Sequence, residues 1–94
     1  MTGVLICDDD AAIRRILRAV IALRPSLDAV GEAGDGNEAV SEARRLQPDV
    51  ILLDLAMPNR TGLDALDELG EVAPHAAAIA FSGFSPASGA GEVR

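Results

Sequence analysis

Four aspartates follow runs of apolar residues, at points where carboxylates from neighbouring strands can act together. Asp8, Asp9 and Asp10 close one run near the N-terminus, and Asp54 closes a second run in the middle of the chain. If the two strands are neighbours, these carboxylates converge and repel one another unless a hard cation neutralises them. Mg²⁺ prefers such oxygen ligands, and a carboxylate beside it can attack a phosphoryl group. We therefore predict a magnesium site with Asp54 as the nucleophile, because it stands alone at its strand end.

Two further groups could complete this site. Ala56 is a small residue just after Asp54, and its backbone carbonyl could be a further metal ligand. The hydroxyl of Ser82, at the end of a later apolar run, could donate to a phosphoryl oxygen that the metal leaves uncovered. Asp10 is instead expected to cap a helix, because an aspartate there satisfies an early helical N–H group.

Strands and helices alternate in the apolar pattern. Unbroken apolar runs precede Asp8 and Asp54, as expected for parallel strands buried on both faces. Between them, apolar residues recur at three- and four-residue spacing, and the sequence Asp35-Gly36-Asn37-Glu38 predicts a capping box at the start of a second helix. The pattern predicts an α/β fold with a doubly wound parallel sheet of four strands and about three helices. The third helix is predicted from three leucines that we expect in the core: Leu63, Leu66 and Leu69.

Four segments together resemble bacterial response-regulator receiver domains in order and spacing. They are Val4-Leu5-Ile6-Cys7-Asp8-Asp9-Asp10, Gly34-Asp35-Gly36-Asn37-Glu38-Ala39, Pro48-Asp49-Val50-Ile51-Leu52-Leu53-Asp54-Leu55-Ala56-Met57-Pro58 and Gly62-Leu63. The resemblance implies a flavodoxin-like fold with strand order 2-1-3-4, Asp54 as the phosphoacceptor and Ser82 as the switch hydroxyl. It also implies that Asp9 binds Mg²⁺ directly, Asp8 mostly through water, and Ala56 through its carbonyl.

The resemblance implies a receiver-like domain over residues 1–84. The composition of the last stretch, which is rich in serine and glycine and contains a proline, predicts a flexible tail at residues 85–94. A receiver domain has a fifth strand that ends in a lysine, and then a last helix. Both are expected to be missing here, and all eight basic residues of the chain are arginine. We therefore expect a C-terminally truncated receiver whose fourth strand is an edge of the sheet. Because an exposed apolar edge invites pairing, a homodimer through this β4 edge is predicted.

Composition argues against several classes of function. The formal net charge is −7 and only 2% of the residues are aromatic, which disfavours direct binding to nucleic acid. The apolar run near the N-terminus is too short for a signal peptide or a membrane span, so we expect a cytoplasmic protein without membrane contact. Cys7 is the single cysteine and lies in an apolar run, where a buried core residue is expected.

Three functions are compatible with these residues. The first is a phosphoacceptor module, not a turnover enzyme, that takes a phosphoryl group on Asp54 from a sensor histidine kinase or phosphotransfer protein. The second is an interaction module that keeps the receiver fold but does not signal through phosphate, because the lysine and fifth strand are absent. The third, a metal-dependent phosphatase, is disfavoured because no Gly-Thr pair follows Asp10. The arginines of the first helix are either a solvated face or a kinase-docking face: Arg14, Arg15 and Arg18.

Overall fold

The structure is a computed structural model, and it describes residues 1–81 of the 94-residue chain. The strands are β1 (Thr2–Cys7), β2 (Leu27–Ala33), β3 (Val50–Asp54) and β4 (Ala77–Phe81), and the helices are α1 (Ala11–Ala22), α2 (Gly36–Leu46) and α3 (Gly62–Val72). None of the helices in this range has the length and apolar character needed to cross a membrane. Ser82 and the predicted tail at residues 85–94 lie outside the described residues.

The four strands form one parallel sheet in the order β2-β1-β3-β4. The central strand β1 pairs with β2 on one side and with β3 on the other, and β4 pairs with β3. Because every strand runs in the same direction, all four carboxyl ends lie at one edge of the sheet. The predicted α/β architecture and strand order are confirmed. β1 and β3 are therefore neighbours, which is the condition for the acids that follow them to lie close together.

The two faces of the sheet are covered unequally. The α2/α3 face is the one to which Leu5, Ile51 and Leu53 point, and these side chains are at most 1% exposed beneath the two helices. The α1 face is the opposite one, to which Ile6 and Leu52 point beneath a single helix. Its buried cluster is much smaller and consists of Val4, Ile6 and Ile21.

The α1 face leaves apolar side chains in contact with solvent. Ile16 and Val20 of α1 are 58% and 53% exposed. Ile79 of β4 pairs with Leu52, so it lies on the same face, and it is 53% exposed. The second edge of β4 pairs with no strand among residues 1–81. Among the described residues, β4 therefore has the composition of an interior strand but the position of an edge strand.

Side-chain caps start α1 and α2 where the sequence predicts. Asp10 accepts a hydrogen bond from Ala12 N, and Asp35 accepts one from Glu38 N, each at 2.8 Å. The Glu38 carboxylate also reaches back, but it accepts from Gly34 N at 2.6 Å and not from the cap residue itself. The predicted capping box is therefore present in a form displaced by one residue.

The prediction that the three leucines of α3 all lie in the core is wrong for Leu63, which is 63% exposed. Leu69 is 2% exposed, and Leu66 is partly buried against the core. Three residues fall about 60° short of a full helical turn, so each successive leucine is displaced around the helix. Only the later two leucines therefore face the sheet.

Candidate functional site

Three acidic side chains meet at the carboxyl edge of the sheet. Asp8 directly follows β1, Asp9 is the next residue, and Asp54 is the last residue of β3. One carboxylate oxygen from each lies within 4.8 Å of the others. Asp8 and Asp54 are each 3% exposed, whereas Asp9 is open to solvent. The structure thus brings together three of the four aspartates that the sequence singles out, and the fourth, Asp10, caps α1.

Hydrogen bonds fix the loop between β1 and α1. Asp8 N donates to the carbonyl oxygen of Ala33 at 3.0 Å, which extends the pairing of β1 with β2 beyond the strand end. Asp10 N donates to Oδ1 of Asp8 at 2.8 Å, so one oxygen of that carboxylate is already engaged. The side chain of Asp9 makes no hydrogen bond within residues 1–81, so its carboxylate is available to a ligand.

Asp54 is enclosed by the loop that follows it and by the start of α3. Its Oδ1 accepts from Ala56 N at 3.0 Å, while its Oδ2 makes no hydrogen bond within the described part of the chain. The start of α3 packs directly against this strand end, because a Cβ atom at Gly62 would overlap the Asp54 carbonyl oxygen. Gly62 is therefore the residue that permits the approach, and no larger residue fits without a shift of the backbone.

The electrostatics of the three acids favour a bound cation. Burial raises the pKa of Asp8 above its ordinary value of 3.8; the hydrogen bond from Asp10 N opposes this, and the negative charges of Asp54, Asp9 and Asp10 add to it. None of the ion pairs within residues 1–81 includes Asp8, Asp9 or Asp54. A cluster of carboxylate oxygens with no ion pair among the described residues matches the ligand preference of Mg²⁺.

Arg14 contacts this site although the sequence suggests only a solvated or kinase-docking role for it. Its Nη1 donates to the carbonyl oxygen of Asp8 at 2.6 Å, and its Nε donates to Glu32 at 2.9 Å. Glu32 lies on β2, 18 positions further along the chain, and no local spacing rule connects the two residues. The sequence contains one weak indication of this contact. Arg14 follows the helix cap Asp10 by four residues, which places it about one helical turn from the loop.

The remaining predicted residues have different outcomes. Ala56 is exposed in the turn after β3, where its N–H group already bonds Asp54. Ser82 follows Phe81, which pairs with Asp54 in the register of β3 and β4, but Ser82 itself lies outside the described residues. Cys7 is buried in the core as expected, and burial raises the pKa of its thiol to about 12.

Comparison with known sequences identifies relatives of this arrangement. The family described as the response regulator receiver domain matches residues 4–93. A protein-glutamate methylesterase/protein-glutamine glutaminase of Rhizobium johnstonii is 42% identical over 71 residues, which are 76% of this chain and 20% of that protein. The nitrate/nitrite response regulator protein NarL of Escherichia coli is 38% identical over 79 residues, which are 84% of this chain and 37% of that protein. The chain thus corresponds to only a part of each relative.

Solved structures agree with the sequence matches. The response regulator domain of Thermotoga maritima CheB has a TM-score of 0.83 and 40% identity, over 87% of this chain and 60% of that chain. The CheX-CheY complex of Borrelia burgdorferi with BeF₃ and Mg²⁺ has a TM-score of 0.78 and 28% identity, over 88% of this chain and 63% of that chain. The family match over most of the chain and the similar folds of the solved structures agree, and the chain belongs to the family of response regulator receiver domains.

Proposed function

We propose that this chain is a phosphoacceptor receiver domain of a two-component system, which takes a phosphoryl group onto Asp54 with Mg²⁺. The convergence of Asp8, Asp9 and Asp54 at the carboxyl edge of the sheet is the observation that carries the proposal. The similar fold in a complex that contains BeF₃ and Mg²⁺ supports it. The domain acts as a signalling module that is modified and then resets, and not as a turnover enzyme.

The donor in this proposal is the phosphohistidine of a sensor histidine kinase or phosphotransfer protein. Because Ala56 N engages Oδ1 of Asp54, Oδ2 is the oxygen that bonds to phosphorus. The P–N bond breaks as this bond forms, and its electron pair returns to the imidazole ring. Asp9, Asp54 and the Ala56 carbonyl, with Asp8 mostly through water, would hold Mg²⁺, and the bound ion would supply positive charge to the transferring oxygens. The Ser82 hydroxyl donates to one of those oxygens.

We place this phosphoryl transfer in the cytoplasm, where ATP is available to phosphorylate the histidine of the kinase. The partner is another protein and not nucleic acid, because the net charge of −7 repels a phosphate backbone. The names of the methylesterase/glutaminase relatives describe proteins of which this chain covers about a fifth, so their enzymatic activity is not part of the proposal.

Incubation with acetyl phosphate and Mg²⁺, followed by intact-mass measurement, tests the proposal. We expect the mass of one phosphoryl group to be added and to map to Asp54. Asp54→Asn should remove the addition, whereas Asp67→Asn, which makes the same charge change on the exposed side of α3, should not. The reaction should be about 10²- to 10³-fold slower than in a receiver with a lysine at the site, because one electrostatic contact is missing.

The alternative is a receiver-fold interaction module that works without phosphorylation. The observation that favours it is the absence of lysine from all 94 residues. No mass addition in wild-type protein, together with retained folding, would support this alternative and contradict phosphoacceptor function. Complete modification within minutes would instead show that the lysine is not needed here.

We also propose that two copies associate through β4. Its outer edge is unpaired within residues 1–81, and its five residues carry no charge that would repel the same strand of a second copy. Sedimentation at tens of micromolar should show a dimer, and Ile79→Lys should disrupt it by placing a charge at the pairing edge. Leu23→Lys alters an exposed apolar residue directly after the end of α1 and serves as the control. A stable 9.7 kDa monomer at every concentration would refute the dimer.

A further inference from the structure

Arg14 joins the loop that carries the acids to the neighbouring strand β2. Its Nη1 bonds the Asp8 carbonyl oxygen at 2.6 Å while its Nε bonds Oε1 of Glu32 at 2.9 Å. The Arg14 side chain is 21% exposed, so both bonds are partly shielded from water. A guanidinium is planar and directs several N–H groups in fixed directions, which allows it to hold two acceptors at once. The positions of Glu32 and of the Asp8 backbone are therefore linked through one side chain.

Glu32 is itself held by a second arginine. Arg18 Nε donates to Oε2 of Glu32 at 2.7 Å, and Arg18 Nη1 donates to the Ala29 carbonyl oxygen at 3.3 Å. The hydrogen bonds from Arg18 and Arg14 lower the pKa of Glu32, so the carboxylate stays charged at neutral pH. Within residues 1–81, the side-chain hydrogen bonds of Arg18 go to β2, whereas those of Arg14 also reach the acidic loop. Glu32 thus has two arginine partners, of which one acts on the site.

The bond to Asp8 acts on the part of the chain that supplies two of the three carboxylates. Within residues 1–81, the other hydrogen bonds that restrain this loop are the one from Asp8 N to Ala33 and those of the Asp10 backbone and side chain. None of these restrains the Asp8 carbonyl, so loss of Arg14 would let that peptide group rotate. Mg²⁺ demands near-octahedral geometry and is therefore sensitive to such a displacement of its ligands.

We propose that Arg14 is a positioning residue for the magnesium site and that Glu32 holds Arg14 in place. The proposal rests on the proposed function, since it concerns the same site. It is separable from phosphoryl transfer, because it describes the affinity for the metal before a donor arrives. Groups that orient metal ligands commonly change metal affinity by about tenfold or more when they are removed.

The direction of the change in Mg²⁺ affinity on replacing Arg14 distinguishes a positioning role from a simple effect of charge. Arg14 is a cation near a cation-binding site, so its removal should tighten Mg²⁺ binding if only charge mattered. Loss of positioning should weaken binding. Arg15 is the matched control, because it lies on the same helix, is exposed and makes no ion pair or hydrogen bond with its side chain within residues 1–81.

The experiment is a Mg²⁺ titration followed by backbone NMR, which suits a chain that has no Trp or Tyr for fluorescence. We expect Arg14→Gln to weaken binding about tenfold and Glu32→Gln to weaken it less. The double variant should bind no more weakly than Arg14→Gln, because Glu32 acts through Arg14. Arg15→Gln should bind as wild type does or slightly more tightly. Ca²⁺, which tolerates irregular geometry, should lose less affinity than Mg²⁺ in Arg14→Gln.

Each outcome decides the proposal. Wild-type or tighter Mg²⁺ binding by Arg14→Gln would overturn the positioning role and leave the proposed function intact. Absence of Mg²⁺ binding by the wild-type protein would overturn both. If Arg14→Gln fails to fold, Arg14→Lys decides: it keeps the charge but cannot hold both acceptors, so intermediate affinity supports the proposal and wild-type affinity refutes it.

Discussion

The α2/α3 face and the α1 face are built on the same strands, yet they differ in how completely they are covered. Twelve buried residues form the cluster on the α2/α3 face, against three on the α1 face. Five of the twelve are alanines, which let the two helices lie close to the sheet. Among residues 1–81, packing on the α2/α3 face therefore buries most of the core, whereas several apolar side chains on the α1 face stay exposed.

Two adjacent leucines of β3 test this difference most directly. Leu53 is fully buried on the α2/α3 face, whereas Leu52 is only partly buried on the α1 face. We expect Leu53→Ala to lower the free energy of unfolding by about 2–5 kcal/mol, because it leaves a cavity in a packed core. Leu52→Ala should cost under about 2 kcal/mol. Urea denaturation of both variants measures this, and equal losses would show that the two faces contribute alike.

Two glycines of α3 test how tightly the helix lies on the covered face. A Cβ atom at Gly62 would overlap the Asp54 carbonyl, so Gly62→Ala should destabilise the domain by about 1–3 kcal/mol. Gly70 has no atom within 4 Å of an added Cβ, so Gly70→Ala should stabilise it by about 0.5–1 kcal/mol through helix propensity. Thermal unfolding should show shifts of opposite sign. Shifts of the same sign would contradict the close packing at Gly62.

The caps of α2 and α1 provide a smaller test. Asp35 accepts hydrogen bonds from Glu38 N and from Asn59 Nδ2, whereas the Asp10 side chain accepts only from Ala12 N among the described residues. Removal of a cap costs about 0.5–2 kcal/mol, and we expect Asp35→Ala to lie higher in that range than Asp10→Ala. Hydrogen bonds from Glu38 N and Asn59 lower the pKa of Asp35 below 3.8.

The lowered pKa of Asp35 makes its contribution depend on pH in a defined direction. An acid whose pKa is lower in the folded state than in the unfolded state stabilises the fold at any pH above its ordinary pKa. This stabilisation is lost as the pH falls through the lowered pKa. The stability difference between wild type and Asp35→Ala should therefore be full at pH 7 and shrink as the pH falls below 3.8 and through the lowered pKa. Denaturation at several pH values checks this, and a difference that grows in acid would contradict it.

The smallest effect is expected on the α1 face. Ile16 is 58% exposed, so Ile16→Gln should change the free energy of unfolding by no more than about 0.5 kcal/mol. Val40 of α2 is 5% exposed, so Val40→Gln should lower the free energy of unfolding far more. A loss above about 1 kcal/mol for Ile16→Gln, measured well below any dimerisation concentration, would mean that the α1 face is covered in the monomer.

Much of the fold can be predicted because its signals are local. The apolar runs that end in Asp8 and Asp54 mark buried strands, and Asp10 and Asp35 mark the starts of helices. The position of Leu63 is mispredicted, because a three-residue repeat does not say which part of the helix faces the sheet. That depends on the packing of α3 against β3, which is set by the contact at Gly62.

Some contacts of the site can likewise be predicted from local sequence, whereas others depend on residues far apart in the chain. The convergence of Asp8, Asp9 and Asp54 follows from strand ends in a parallel sheet, so it is predictable once β1 and β3 are taken as neighbours. The bond from Arg14 to Glu32 is not predictable, because many arginines and acids could form such a pair and the sequence does not select one. The role of Ser82 stays a prediction, since it lies outside residues 1–81.

The position of β1 at the centre of the sheet has a consequence for how the chain folds. Gly3 N donates to the side chain of Asp49 at 2.7 Å, across 46 positions of the chain, and β1 has no hairpin partner nearby. During synthesis, β1 must wait for β3 to emerge before its second edge is paired. Sheets built from such distant pairings fold slowly. Until then β1, which is the most completely buried strand among residues 1–81, exposes one edge to chaperones and to other nascent chains.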